Sequence, residues 1–353
     1  MNRSSIIFLF LLGCCLAHLS TAGLIRKSQT ENSCRDPPLR KEWRSLSVGH
    51  RRQYIDAVLC LTKKASITSG LLGAVNRFDD FQAVHSSQTP TIHWVGHFAL
   101  WHRYMVAMYE KALRDECGWR WGQPYWDWSL DASSTDNSSL TIFQTDVFSP
   151  VRGFGGNGPY VEATPEQNPL NITGHTGGGC VQDGPFTHPN FKINVGPGAG
   201  GCLKRDFTSW IMNYFARKEL VDYVTTQPDY TTFAFALENI PSFSEPNIHG
   251  SGHFGVGGVL GTLGDAYNSP GAFFRKDPLF YLHHGNLDRI FWIWQTKDLS
   301  TRLNQVGGPV SPFDYGGANV TLDFEIGLGA IAGNATLHAL LDIQSETLCY
   351  RYQ

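Results

Sequence analysis

Apolar residues recur at helical spacing in several stretches of the chain, separated by long stretches with no period at all. Across residues 40–63, Trp43, Leu46, Tyr54, Val58 and Leu61 fall in step, which predicts an early amphipathic helix. A second helix is expected to end near His85. A third is expected over residues 98–114, where Leu100, Tyr104, Ala107, Met108 and Lys111 share the period. PYWDW at residues 124–128 then breaks the helix and brings three large aromatics together. Further helices are expected over residues 207–223 and 277–295. Between residues 149 and 202 the chain is rich in Gly and Pro (GFGGNGP, GHTGGGC, NVGPGAGGC). Regular helix is not sustained by such a composition, and a loop this long in a compact domain is usually functional or stapled. The pattern therefore predicts a mainly α protein, one helical domain with long irregular loops.

The N-terminus adds a targeting signal. MNRSS precedes an apolar run over residues 6–12, and Ser20-Thr21-Ala22 supplies small residues before a cleavage point. Residues 1–22 read as a secretory signal peptide and residues 23–353 as the mature, secreted chain. The apolar run is too short to span a bilayer. Net charge is −3 with dispersed basic residues, so neither nucleic acid nor a membrane surface is an expected partner. Past residue 22 stand Cys34, Cys60, Cys117, Cys180, Cys202 and Cys349. In an oxidising compartment an even set reads as three disulfides, though six cysteines allow 15 pairings. Cys180 with Cys202 is the favoured pair, since it closes a modest loop. Sequons at Asn137, Asn171, Asn319 and Asn334 suit the same route.

Two histidine clusters carry the chemistry. The first is His85, His93 and His102; the second is His249 and His253 followed by His284. Three neutral imidazoles in each, without thiolate or carboxylate, suit two redox-active copper ions. His249 and His253 are four apart, about 40° of helical rotation, so they can share a metal. His93 and His102 are nine apart, about 180° on a helix, and cannot both ligate from one continuous helix. His102 is therefore expected on the helix and His93 on the loop before it. His97 is expected to hydrogen-bond within the structure instead. His283 and His284 point about 100° apart, so one is a ligand and the other a neighbour. Asp288, one turn on, favours His284, as a carboxylate can fix a ligand's tautomer or anchor nearby structure. His50, His175, His188 and His338 lack partners at metal spacing and read as surface or loop residues.

The segments FDDFQAVH, HWVGHFALWHRY, PYWDW, HGSGHFGVGG and DPLFYLHHGNLDR together resemble the tyrosinase, catechol oxidase and hemocyanin superfamily of type-3 copper proteins, nearest its short secreted fungal tyrosinase-like members. The resemblance runs from RKEWR to the closing CYRY. It implies a four-helix bundle around two coppers, with CuA held by His85, His93 and His102 and CuB by His249, His253 and His284. It also implies a small phenolic substrate and O2 as reactants, with o-diphenols or o-aminophenols oxidised to o-quinones.

Departures from that pattern refine the expectation. In related enzymes, monophenol hydroxylation is linked to a water held by a glutamate and by an Asn after the first CuB histidine. Here Gly250 stands at the Asn position. Glu238 in ENIP and Glu245, four before His249, compete for the glutamate role, each balanced against being a solvated loop carboxylate. Phe273, or failing it Phe274, is the candidate gate over CuB. Thr91 stands where many relatives place a Cys crosslinked to the second CuA histidine, so no thioether is expected. The chain ends near the family's Y-x-Y motif, so no C-terminal shielding domain is expected. These features favour o-diphenol oxidation over tyrosine hydroxylation, with a true tyrosinase, a hemocyanin-like oxygen carrier and a catalytically silent relative as alternatives.

Overall fold

In the computed structural model, the described residues are 34–196, 200–239, 247–261 and 277–353. The expected signal peptide and its cleavage point lie outside them. Ser47 opens α1 (Val48–Leu61), its side chain accepting the His50 N–H. The helix is shorter than the predicted 40–63 because the preceding residues do other work. Leu39–Arg40 (β1) pairs in parallel with Arg351–Tyr352 near the C-terminus, and Trp43–Ser45 makes a single tight turn.

Helix α2 (Arg77–Ile92) starts from a capping box in which Asn76 and Asp79 satisfy each other's backbone N–H. It runs a further two turns past the end expected near His85, carrying Pro90 within it. The Thr89 hydroxyl donates to the His85 carbonyl at 2.9 Å, a local bond within the stretch that Pro90 interrupts. The helix stops at His93, whose backbone is extended (φ −120°, ψ 148°). Helix α3 (Phe98–Cys117) follows after a short turn and ends at Gly118 in the left-handed conformation.

The helix expected over residues 207–223 is two, α4 (Ser209–Phe215) and α5 (Lys218–Thr225), with Arg217 extended between them. The two bury different surfaces: α4 packs on α7 (Ile248–Gly257), while α5 packs on α6 (Tyr230–Glu238) and α8 (Leu279–Thr296). One straight helix could not reach both. Helix α9 (Leu299–Arg302) and a two-stranded antiparallel pair, β2 (Glu325–Ile326) with β3 (Ala335–Thr336), complete the regular elements needed here.

The core is aromatic. Trp43, Trp101, Trp119, Trp126, Trp128 and Trp294 are all fully buried. Helices α2, α3, α7 and α8 surround the histidines, with α3 packed on α8, α2 on α3, and α7 on α8. Three disulfides staple residues 34–353: Cys34–Cys349, Cys60–Cys117 and the expected Cys180–Cys202. The Gly-rich loop is anchored through Arg205, which donates to the carbonyls of Phe154, Gly155 and Gly156 and grips Asp277 through two nitrogens. That residue directly precedes Pro278 and α8. Residues 34–353 form one compact unit, and among the described residues no helix is long and apolar enough to cross a membrane.

Candidate metal centre

His85 projects from the middle of α2, His93 from its end and His102 from α3, so the first triad joins two helices through a turn. His249 and His253 lie one turn apart on α7, and His284 lies on α8. In each triad the three ligand atoms lie within 4.8 Å of one another, and all six residues are buried. The two triads face each other, with His102 stacked on His284 at 4.5 Å between ring centroids and His93 on His249 at 5.8 Å.

Hydrogen bonds set the tautomers. His93 Nδ1 lies 3.0 Å from the Thr89 carbonyl and His102 Nδ1 lies 2.8 Å from that of Phe98. A carbonyl only accepts, so both Nδ1 atoms carry the proton and both Nε2 atoms present a lone pair. The Nε2 atoms of His85 and His102 stand 3.1 Å apart, as do those of His253 and His284. Nitrogens bound at about 2 Å to a shared ion sit roughly that far from each other. Burial first, then the neighbouring imidazoles, pushes His249 and His284 well below the ordinary histidine range. Both are therefore neutral near pH 7, the form a metal binds. Two buried, converging, all-imidazole triads fit two copper ions.

His283 is a neighbour and not a ligand. Its Nδ1 accepts from Trp128 Nε1 at 3.1 Å, so its Nε2 carries the proton and donates to the His249 carbonyl at 2.8 Å. Both nitrogens are spent joining PYWDW, α7 and α8. Gly252 faces this ring so closely that an added Cβ would lie 2.4 Å from His283 Nδ1.

Of the two roles expected for Asp288, the structure shows the anchoring one. Its carboxylate accepts from Arg103 Nε at 2.5 Å, Arg40 Nη1 at 3.0 Å, and the hydroxyls of Tyr350 and Tyr352. It anchors the C-terminal tyrosines and touches no His284 nitrogen. Burial alone would raise this carboxyl, but Arg103 and then Arg40 hold it below the usual carboxylate range. His97 is internal as expected: Nε2 meets the Thr91 carbonyl at 3.0 Å, and burial pushes the ring down to about 4. His175 is more than a loop residue, since its Nδ1 pairs with the fully buried Asp206 at 3.0 Å.

Glu238 reaches the centre. It ends α6, is buried, accepts the Trp94 N–H at 2.6 Å through Oε2, and places Oε1 3.9 Å from His249 Nδ1. Glu245 lies outside the described residues, as do Phe273 and Phe274. Gly250 sits in the first turn of α7, its N–H donating at 2.6 Å to the capping side chain of Asn247. An added Cβ would lie 2.8 Å from that amide nitrogen. The roles of Asn247, Trp128 and the Thr89 and Phe98 carbonyls escaped the sequence reading.

Three comparisons bear on this geometry. Residues 75–297 match the common central domain of tyrosinase. The tyrosinase-like protein phomQ1 of Diaporthe leptostromiformis is 32% identical over 99% of this chain and 85% of the relative. Tyrosinase P of Aspergillus terreus is 31% identical over 90% of this chain and 93% of its own length. Among solved structures, a point mutant of polyphenol oxidase from Thermothelomyces thermophila superposes with a TM-score of 0.71 at 30% identity, covering 90% of this chain and 89% of that one.

Proposed function

This chain belongs to the tyrosinase family of type-3 dicopper proteins, and on that footing we propose that it is an oxidase of o-diphenols or o-aminophenols with little monophenol hydroxylation. The observation that carries the reading is the pair of complete, buried histidine triads. The polyphenol oxidase match extends over nearly the whole of both chains and supports the same chemistry. When bound, the copper pair supplies two-electron redox chemistry: two o-diphenols and one O2 give two o-quinones and two waters.

The residues of the chain prepare that reaction. The Thr89 and Phe98 carbonyls hold His93 and His102 with Nε2 turned inward. Phe98 packs 4.7 Å from His249 and Phe280 4.2 Å from His284, so the walls are aromatic and exclude water. Glu238 is positioned to take a proton at Oε1, on the side of His249. Hydroxylating a monophenol needs that proton removed before oxygen transfer. With glycine at residue 250 there is no side chain to help Glu238 hold a water there, which favours the diphenol reaction. Glu238 itself favours the second reading, a true tyrosinase.

The deciding experiment is oxygen uptake by the copper-loaded protein with 4-methylcatechol and, separately, with tyrosine as sole substrate. Quinone from the catechol and none from tyrosine is the expected result. Comparable initial rates on both would establish the tyrosinase reading, and inertness toward both would overturn the proposal. Secretion belongs to the same proposal: three disulfides suit an oxidising compartment, and all four sequon asparagines are exposed. N-terminal sequencing of protein from the medium should begin near residue 23.

A further inference from the structure

Beside Glu238 and lined in part by α6 lies a cleft of about 270 Å³. Trp94, Phe235 and Tyr315 supply aromatic walls, Ala234 lies along α6, and Glu238 and Gln227 contribute polar groups. Phe235 and Tyr315 meet edge to face at 5.6 Å, and both remain substantially exposed to solvent. Trp94 is backed by Phe313, stacked at 5.0 Å.

The backbone here is unusual. Trp94 (φ 54°), Asn239 (φ 49°) and Phe313 (φ 62°) all have positive φ. Such conformations cost bulky residues energy and concentrate at ligand sites. Trp94 directly follows the ligand His93, and its N–H is held by Glu238, whose other oxygen faces His249. One carboxylate thus lines the cleft while touching His249 and the residue that follows His93.

We propose that this cleft is an accessory site for a second single-ring aromatic alcohol or phenol, and that its occupation slows turnover at the copper pair. The volume admits one substituted ring. Aromatic faces match the ring, and Glu238 and Gln227 match its hydroxyl donor. A hydroxyl bonded to Glu238 competes with its bond to Trp94 and its place beside His249, so the ligand inhibits. The inhibition, though not the binding, rests on the oxidase reading above.

The test uses 4-bromobenzyl alcohol, which carries ring, hydroxyl donor and an anomalous scatterer but is no diphenol. Crystals of the copper-loaded protein should show bromine between Trp94 and Tyr315, and equilibrium dialysis should show saturable binding in solution. Ala234→Leu, which fills the cleft, and Phe235→Ala, which removes an exposed wall, should each weaken binding by about tenfold. With 4-methylcatechol, both variants should relieve inhibition at high substrate while kcat/KM at low substrate stays unchanged. Bromine found only at the histidines, or binding unaltered in a folded Phe235→Ala protein, would overturn the site. Binding in the cleft with unaltered inhibition would overturn its regulatory role. A protein that binds bromine there yet oxidises no diphenol would refute the oxidase reading alone.

Discussion

His283 and His284 are adjacent, chemically identical and equally buried, and only their bonds separate them. Replacing His284 with Ala removes a ligand, so bound copper should fall from two ions toward one and quinone formation should drop to background. His283→Ala should retain both ions and part of the activity. It leaves Trp128 Nε1 and the His249 carbonyl without their partner, at a cost of roughly 1–3 kcal/mol in unfolding free energy. Metal analysis beside urea denaturation separates these outcomes. The reverse pattern would exchange the two roles. The sequence already excluded joint ligation, because adjacent residues diverge by about 100° on a helix. It left open whether Asp288 fixes a tautomer or anchors nearby structure, since a one-turn spacing shows that a carboxylate is near but not which of several donors captures it.

At the scale of elements, the glycines of α7 serve packing. Gly→Ala inside a helix ordinarily gains up to about 1 kcal/mol. Gly250→Ala should do the opposite, since its Cβ would press on the Asn247 amide that caps the helix. A lower midpoint in thermal unfolding checks the sign. Gly252→Ala should cost more, roughly 1–3 kcal/mol, because the His283 ring it meets is bonded on both sides and cannot retreat. Its second copper should also dissociate faster on chelation. Helix existence was legible from apolar period, but several boundaries were not. Helix α2 persists through Pro90, and the stretch after Phe207 divides, because packing partners outweigh local preference.

Across the whole molecule, the two ends of residues 34–353 are held together around one buried charge cluster. Arg40 bonds Glu110 and Asp288, its guanidinium lies 3.3 Å over the Tyr350 ring, and the Cys34–Cys349 bridge closes beside it. Because the folded Asp288 carboxyl sits below its unfolded value, its contribution to stability is complete above the ordinary carboxylate range, near pH 4. It is lost as pH falls through the folded value. Thermal midpoints should therefore decline in acid below about pH 4, and Asp288→Asn should flatten that decline while lowering stability throughout. Replacing Cys34 and Cys349 together by Ser should cost about 2–5 kcal/mol in denaturant unfolding. An unchanged midpoint would mean that the strand pair and charge cluster suffice without the bridge.

The helical class, a preference for the Cys180–Cys202 pair and the two histidine clusters were legible along the chain, the assignment of six ligands following from the resemblance of their flanking segments. Those readings depend on local periodicity, on loop length, on the coordination preferences of imidazole and on contiguous motifs. Tertiary structure decided the rest. It brought Glu238 to His249, gave Asp288 to Arg40 and Arg103, set His283 between Trp128 and the His249 carbonyl, and opened a cleft beside Trp94. Each of these joins residues from separate elements. Donors and acceptors buried in a core must pair with whatever packing places within reach, and no spacing along the chain specifies that choice.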